Sequence, residues 1–114
     1  MQRVRKQTPR QIKNMNLLVK IHKKDHRTIV AVCDKNLLGK IIEEKNRQLD
    51  LRGDFYKGEE KNEEEIGDLM RNADGVNLVG PDAVKLGLQE GVISDENVVM
   101  VNNVPSAQAV LIQN

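Results

Sequence analysis

The chain has 114 residues, 39% hydrophobic and 31% charged, a length that suits one domain around a modest core. Its single cysteine, Cys33, excludes an intrachain disulfide and a four-cysteine zinc site, and no apolar run approaches the roughly 20 residues that span a bilayer. The net charge of +1 hides a division, because residues 1–57 hold 15 Lys/Arg against 6 Asp/Glu while residues 58–114 hold 3 against 11.

Residues 1–14 form a basic tail, expected to be disordered, and residues 15–114 a single α/β domain. The tail carries Arg3, Arg5, Lys6, Arg10 and Lys13 without one acid, so it can contact nucleic-acid phosphate through charge alone. Met15, just before the first apolar run, is an alternative start. The tail lacks the apolar centre of a secretory signal, which leaves a cytoplasmic location as the default.

"NLLVKIHK" (16–23) reads as a strand and "TIVAVC" (28–33) as a strand covered on both faces or central in a sheet. With the polar "KKDHR" between them they predict an antiparallel hairpin. Lys20, Lys23 and Lys24 join the tail as candidate nucleic-acid contacts. His22 and His26 flank the turn and read as surface residues. Cys33, at the end of an apolar run with no histidine signature near it, reads as a buried, inert thiol. Asp34 is placed to cap one helical turn that ends near Gly39.

Residues 40–62 are the least regular stretch. "RQLDLR" alternates like a strand, with "DFY" as its extension beyond Gly53, and Phe55 and Tyr56 are the only aromatic residues. One of them is expected to anchor the segment and the other to be exposed. A helix follows from about Glu63 to Asn72. Asn62 and Glu65 stand at N-cap and N3, and Ile66, Leu69, Met70 and Ala73 share a face. The glutamates around the helix start suit its dipole better than they suit a metal.

"GVNLVG" (75–80) predicts a strand, and Pro81 opens a helix, "DAVKLGLQE", whose inward positions are Ala83, Val84, Gly87 and Leu88, with Gly91 closing it. "NVVMVN" (97–102) predicts the second strand of a βαβ unit, parallel to the first, and "AQAVLIQ" (107–113) a closing strand. The fold class is α/β or α+β: a small mixed sheet with an N-terminal hairpin, a C-terminal βαβ unit and two main helices.

Parallel strands at 76–79 and 98–101 would gather Asn77, Gly80, Asp82, Asn102, Asn103 and Ser106 at one carboxyl edge, where open α/β sheets bind ligands. The set offers amides and hydroxyls but no nucleophile–base pair and no metal cluster, so no catalytic residue, metal or cofactor is assigned. A plain Asn-Asn turn before Pro105 is the alternative.

The blocks "VAVCDKNLLGK" (30–40), "FYKG" (55–58), "NLVG" (77–80), "GVISDENV" (91–98) and "VPSAQAV" (104–110) resemble, in order and spacing, the small archaeal family called domain of unknown function 424. The resemblance covers residues 17–112. It implies a small single-domain archaeal cytoplasmic protein and supplies no catalytic residue. It also implies a histidine in the block that here reads "VPSAQ", where this chain has Ser106.

Three functions follow as expectations. The first is a non-catalytic binding module associated with RNA or a ribonucleoprotein. The second is a homo-oligomer or protein-partner module driven by the charge division. The third is a small enzyme or anion-binding protein using the Gly80–Ser106 edge. A membrane is not among the partners.

Overall fold

Alternating branched side chains make the N-terminal half of the domain a hairpin. β1 (Leu17–Lys24) and β2 (Arg27–Asp34) pair antiparallel, with Leu17 opposite Asp34 and Lys24 opposite Arg27. Asp25 and His26, at φ 53° and 68°, form the two-residue turn, the left-handed pair that matches strand twist. The structure, a computed structural model, describes residues 16–111. The tail residues Arg3, Arg5, Lys6, Arg10 and Lys13 lie outside the described residues.

After β2 comes a single 3-10 turn (Lys35–Leu37), then a separate two-stranded hairpin of β3 (Ile41–Glu44) and β4 (Arg47–Asp50). The expected strand extension through "DFY" is instead a turn-rich loop leading to the short β5 (Glu59–Glu60), which pairs with Leu18 and Val19. Next are α1 (Glu63–Arg71), β6 (Gly75–Val79), α2 (Pro81–Gln89), β7 (Val98–Val101) and β8 (Val104–Val110). The six-stranded sheet runs β5-β1-β2-β6-β8-β7, and β2–β6 is its parallel pair of neighbours.

The C-terminal βαβ expectation needs one correction. β6 and β7 do run in the same direction, but β8 lies between them and pairs antiparallel with both. Asn102 and Asn103, at φ 47° and 68°, fold the chain straight back on β7, so β8 begins at Val104 rather than at residue 107. Pro105 is tolerated there because β6 ends at Val79, opposite Ser106, and claims no N–H from Pro105.

One sheet face and the two helices enclose the main core, built from Leu17, Val19, Val30, Val32, Val76 and Leu78 against Ile66, Met70, Val84 and Leu86. Leu86 is buried in α2, whereas Leu88, expected inside, is 37% exposed. At α2's start the inward stripe runs through Ala83, Val84, Leu86 and Gly87. On the opposite face Cys33 and Val79 pack with Leu37 and Leu51 at the base of the β3–β4 hairpin. Among the described residues no helix is long and apolar enough to cross a membrane.

The start of α1 is set by its cap: Glu65 N donates to Asn62 Oδ1 at 2.8 Å, and Glu63, Glu64 and Glu65 fill the first turn. Asn62→Ala is expected to lower unfolding free energy by about 1 kcal/mol in urea titrations, and Asn62→Asp to leave it nearly unchanged.

Candidate functional site

At the carboxyl edge of β2 and β6 the chain turns into α2 through Gly80, whose φ is 111° and whose N–H donates to Pro105 O at 2.8 Å. Gly80 has no side chain to cap the helix, and Asp34, arriving from the end of β2, takes that role. Its carboxylate accepts from Ala83 N at 2.9 Å and from Asp82 N at 3.2 Å. Asp34 therefore does not cap the 3-10 turn that follows it, whose N-cap bond is absent. Burial pushes the Asp34 carboxyl above the usual carboxylate range; the two helix N–H groups pull the other way, and the Asp82 charge adds to the rise.

Cys33 reaches the same edge, because β2 runs parallel to β6 and places Cys33 opposite Val79. The thiol is fully buried and its Sγ donates to Asp34 O at 3.2 Å. Burial pushes its pKa up to about 12, with the Asp34 charge acting in the same direction. A thiol held that high is protonated at neutral pH and is a poor nucleophile. The anion-binding capacity of the α2 start is likewise occupied, because a carboxylate of the protein already sits on it.

The open part of this sheet face forms a cleft of about 680 Å³ between β6–β8–β7 and the β3–β4 hairpin. Its surface includes Asn77, Ser106 and Gln108 from the sheet, Arg47 from the hairpin and Tyr56 from the loop after it. The hairpin is held over β7 by Arg47 Nη1 donating to Met100 O at 3.4 Å and by Asn102 N donating to Glu44 Oε1 at 2.6 Å. Across the β6–β8 pair Gln108 Nε2 donates to Asn77 Oδ1 at 2.5 Å. Ser106 Oγ donates to Val99 O at 3.4 Å. Burial raises the Tyr56 hydroxyl to about 12, so it stays a neutral phenol.

A second surface lies along β1. β5 pairs with Leu18 and Val19, and among the described residues no strand pairs with the outer edge of Lys20–Lys24. His22 points to the same side as Lys20, and the loop 52–57 folds over both. Lys20 Nζ donates to Asp54 O at 2.9 Å and His22 Nε2 to Phe55 O at 2.9 Å. The Phe55 ring stacks on His22, with centroids 4.2 Å apart and planes 13° from parallel, and remains 44% exposed. Tyr56 meets Phe55 edge-on at 5.0 Å. Among the described residues Lys20, Lys23, Lys24 and Arg27 take part in no ion pair.

The family described as "Protein of unknown function (DUF424)" matches residues 21–112. The chain belongs to the DUF424 family. A crystal structure of an uncharacterized conserved protein from Methanopyrus kandleri has the same fold: TM-score 0.73 and 22% identity, over 87% of this chain and 96% of that one. No curated protein matches the chain.

Within this DUF424 domain the six predicted edge residues divide among three places. Asn77 and Ser106 line the cleft. Gly80 and Asp82 stand at the α2 start beneath Asp34, and Asn102 with Asn103 make the hairpin turn. Of the basic candidates, Lys20, Lys23 and Lys24 lie along β1, Lys20 and Lys24 on the His22 face and Lys23 on the other. Sequence reasoning missed Gln108, Arg47 and the His22–Phe55 stack. The available signal for the stack was Phe55 itself, one of two aromatic residues in a chain otherwise without rings to spare for a loop.

Proposed function

We propose that the domain is a non-catalytic module that binds single-stranded RNA along the β1 edge and across the 52–57 loop. The observation that carries this reading is the exposed Phe55 ring, stacked on His22, with Lys24 and Arg27 on the same face of the β1–β2 pair and in no ion pair among the described residues. A base stacks on such a ring regardless of its identity, and the cations supply phosphate contacts by counterion release. Support for a non-catalytic role comes from the edge at Gly80, where the thiol is buried and protonated and the carboxylate is spent on the helix.

Filter binding of labelled RNA octamers at low salt tests the proposal. Phe55→Ala is expected to weaken binding about tenfold, and Phe55→Tyr to bind like the wild type. The triple variant K20A/K23A/K24A is expected to weaken binding at least about tenfold and to flatten the salt dependence by about 2 in log–log slope. A chain starting at Met15 should lose the share contributed by Arg3, Arg5, Lys6, Arg10 and Lys13 and keep the Phe55 effect. Absence of binding to any octamer at low salt, or affinities indifferent to both sets of substitutions, overturns the reading.

A further inference from the structure

The 680 Å³ cleft is large enough for a small ring ligand, and its floor carries an arrangement that the β1 edge does not use. The bond from Gln108 Nε2 to Asn77 Oδ1 consumes one donor and one acceptor of two side-by-side amides. It leaves Asn77 Nδ2 as a donor and Gln108 Oε1 as an acceptor, and among the described residues neither atom has a hydrogen-bond partner. Turning both amides over exchanges the two roles and still leaves one donor beside one acceptor. An adjacent donor and acceptor is the complement of the hydrogen-bonding edge of a nucleobase, which amide side chains read in pairs.

The loop joins this cleft to the proposed RNA surface. Phe55 turns outward onto His22, while Tyr56, the next residue, lines the cleft, and the two rings are 5.0 Å apart. One strand crossing the loop can therefore stack a base on Phe55 and turn a neighbouring base in beside Tyr56. Arg47 stands at the same cleft with no carboxylate partner among the described residues, available to that nucleotide's phosphate.

We infer that the cleft receives one unstacked base of the bound RNA strand, its edge read by the Asn77–Gln108 amide pair. This rests on the RNA reading above. The test uses the full chain and a set of octamers in which each position in turn is made abasic. For the wild type, one abasic position is expected to lower affinity about tenfold more than its neighbours that stack on Phe55 or lie outside the cleft. In N77A/Q108A the intact octamer should bind about tenfold more weakly, and the abasic change at that position should have no further effect. Gln108→Met, which keeps the side-chain length and removes the amide, should reproduce most of that loss while melting like the wild type. If octamers bind but no position is sensitive, or if the sensitivity survives in N77A/Q108A, the base-reading inference fails and the RNA reading stands. If no octamer binds, the RNA reading itself fails.

Discussion

Replacing Gly80 by alanine is expected to destabilise the domain by roughly 3–5 kcal/mol, the sum of a forbidden backbone conformation and a steric overlap. At φ 111° and ψ 155° the residue occupies a region that side chains essentially never adopt. A Cβ there would lie 2.3 Å from Asp34 Cγ and 2.4 Å from Asp34 Oδ1. Neither group has room to give way. Gly80 N is tied to Pro105 O, and Asp34 is buried and tied to the first turn of α2. Gly39 provides the control, since its φ is also positive, at 89°, while nothing lies within 4 Å of its Cβ position. Gly39→Ala should therefore show the backbone penalty alone, about 1 kcal/mol.

Urea titrations of the two alanine variants separate the effects. If Gly80→Ala loses no more than Gly39→Ala, the overlap with Asp34 is not what fixes glycine there. Adding Asp34→Ala to Gly80→Ala removes the clashing carboxyl, so the double variant should lose less than the two single losses added together. A stable small domain has about 5–15 kcal/mol in total. The Gly80 change alone thus takes a large share of the stability that holds β6, α2 and β8 in place.

The elements that were legible in the sequence are those whose determinants lie close together in the chain. The β1–β2 hairpin follows from two branched runs around Asp25 and His26. The α1 helix follows from Asn62 and the 3–4 spacing of Ile66, Met70 and Ala73. The failures are long-range. Asp34 looks like a cap for the turn beside it, yet its partners are 48 and 49 residues away. The insertion of β8 between β6 and β7 was hidden because Asn102, Asn103 and Pro105 read as loop residues. The first two are in fact suited to a two-residue hairpin turn, and the proline falls just past the end of β6. Asn77 and Ser106 line one cleft on the sheet face rather than the carboxyl edge at Gly80, and the bonded partner of Asn77 is Gln108, directly opposite on a strand whose register the sequence does not reveal. The His22–Phe55 stack joins residues 33 apart through a loop with no periodicity to read.

Asp34→Ala is expected to cost about 2–4 kcal/mol, because it leaves the N–H groups of Asp82 and Ala83 without their acceptor at a site closed to water. Asp34→Asn should cost less, since its amide oxygen can still accept from Ala83 N. The comparison of wild type with Asp34→Asn also has a pH dependence whose sign follows from the direction of the Asp34 shift. Burial raises the carboxyl above its unfolded value, so the folded state binds the proton more tightly than the unfolded chain does. Stability gained from that difference is fully present below the ordinary carboxyl range, near about pH 4, and is lost as pH rises through the raised folded value. The asparagine does not titrate. The unfolding free energy of wild type relative to Asp34→Asn should therefore fall as pH rises above about 4, in urea titrations run at matched ionic strength. A relative stability that instead rises with pH would mean that the two N–H bonds from α2 hold the carboxylate more strongly than burial penalises it.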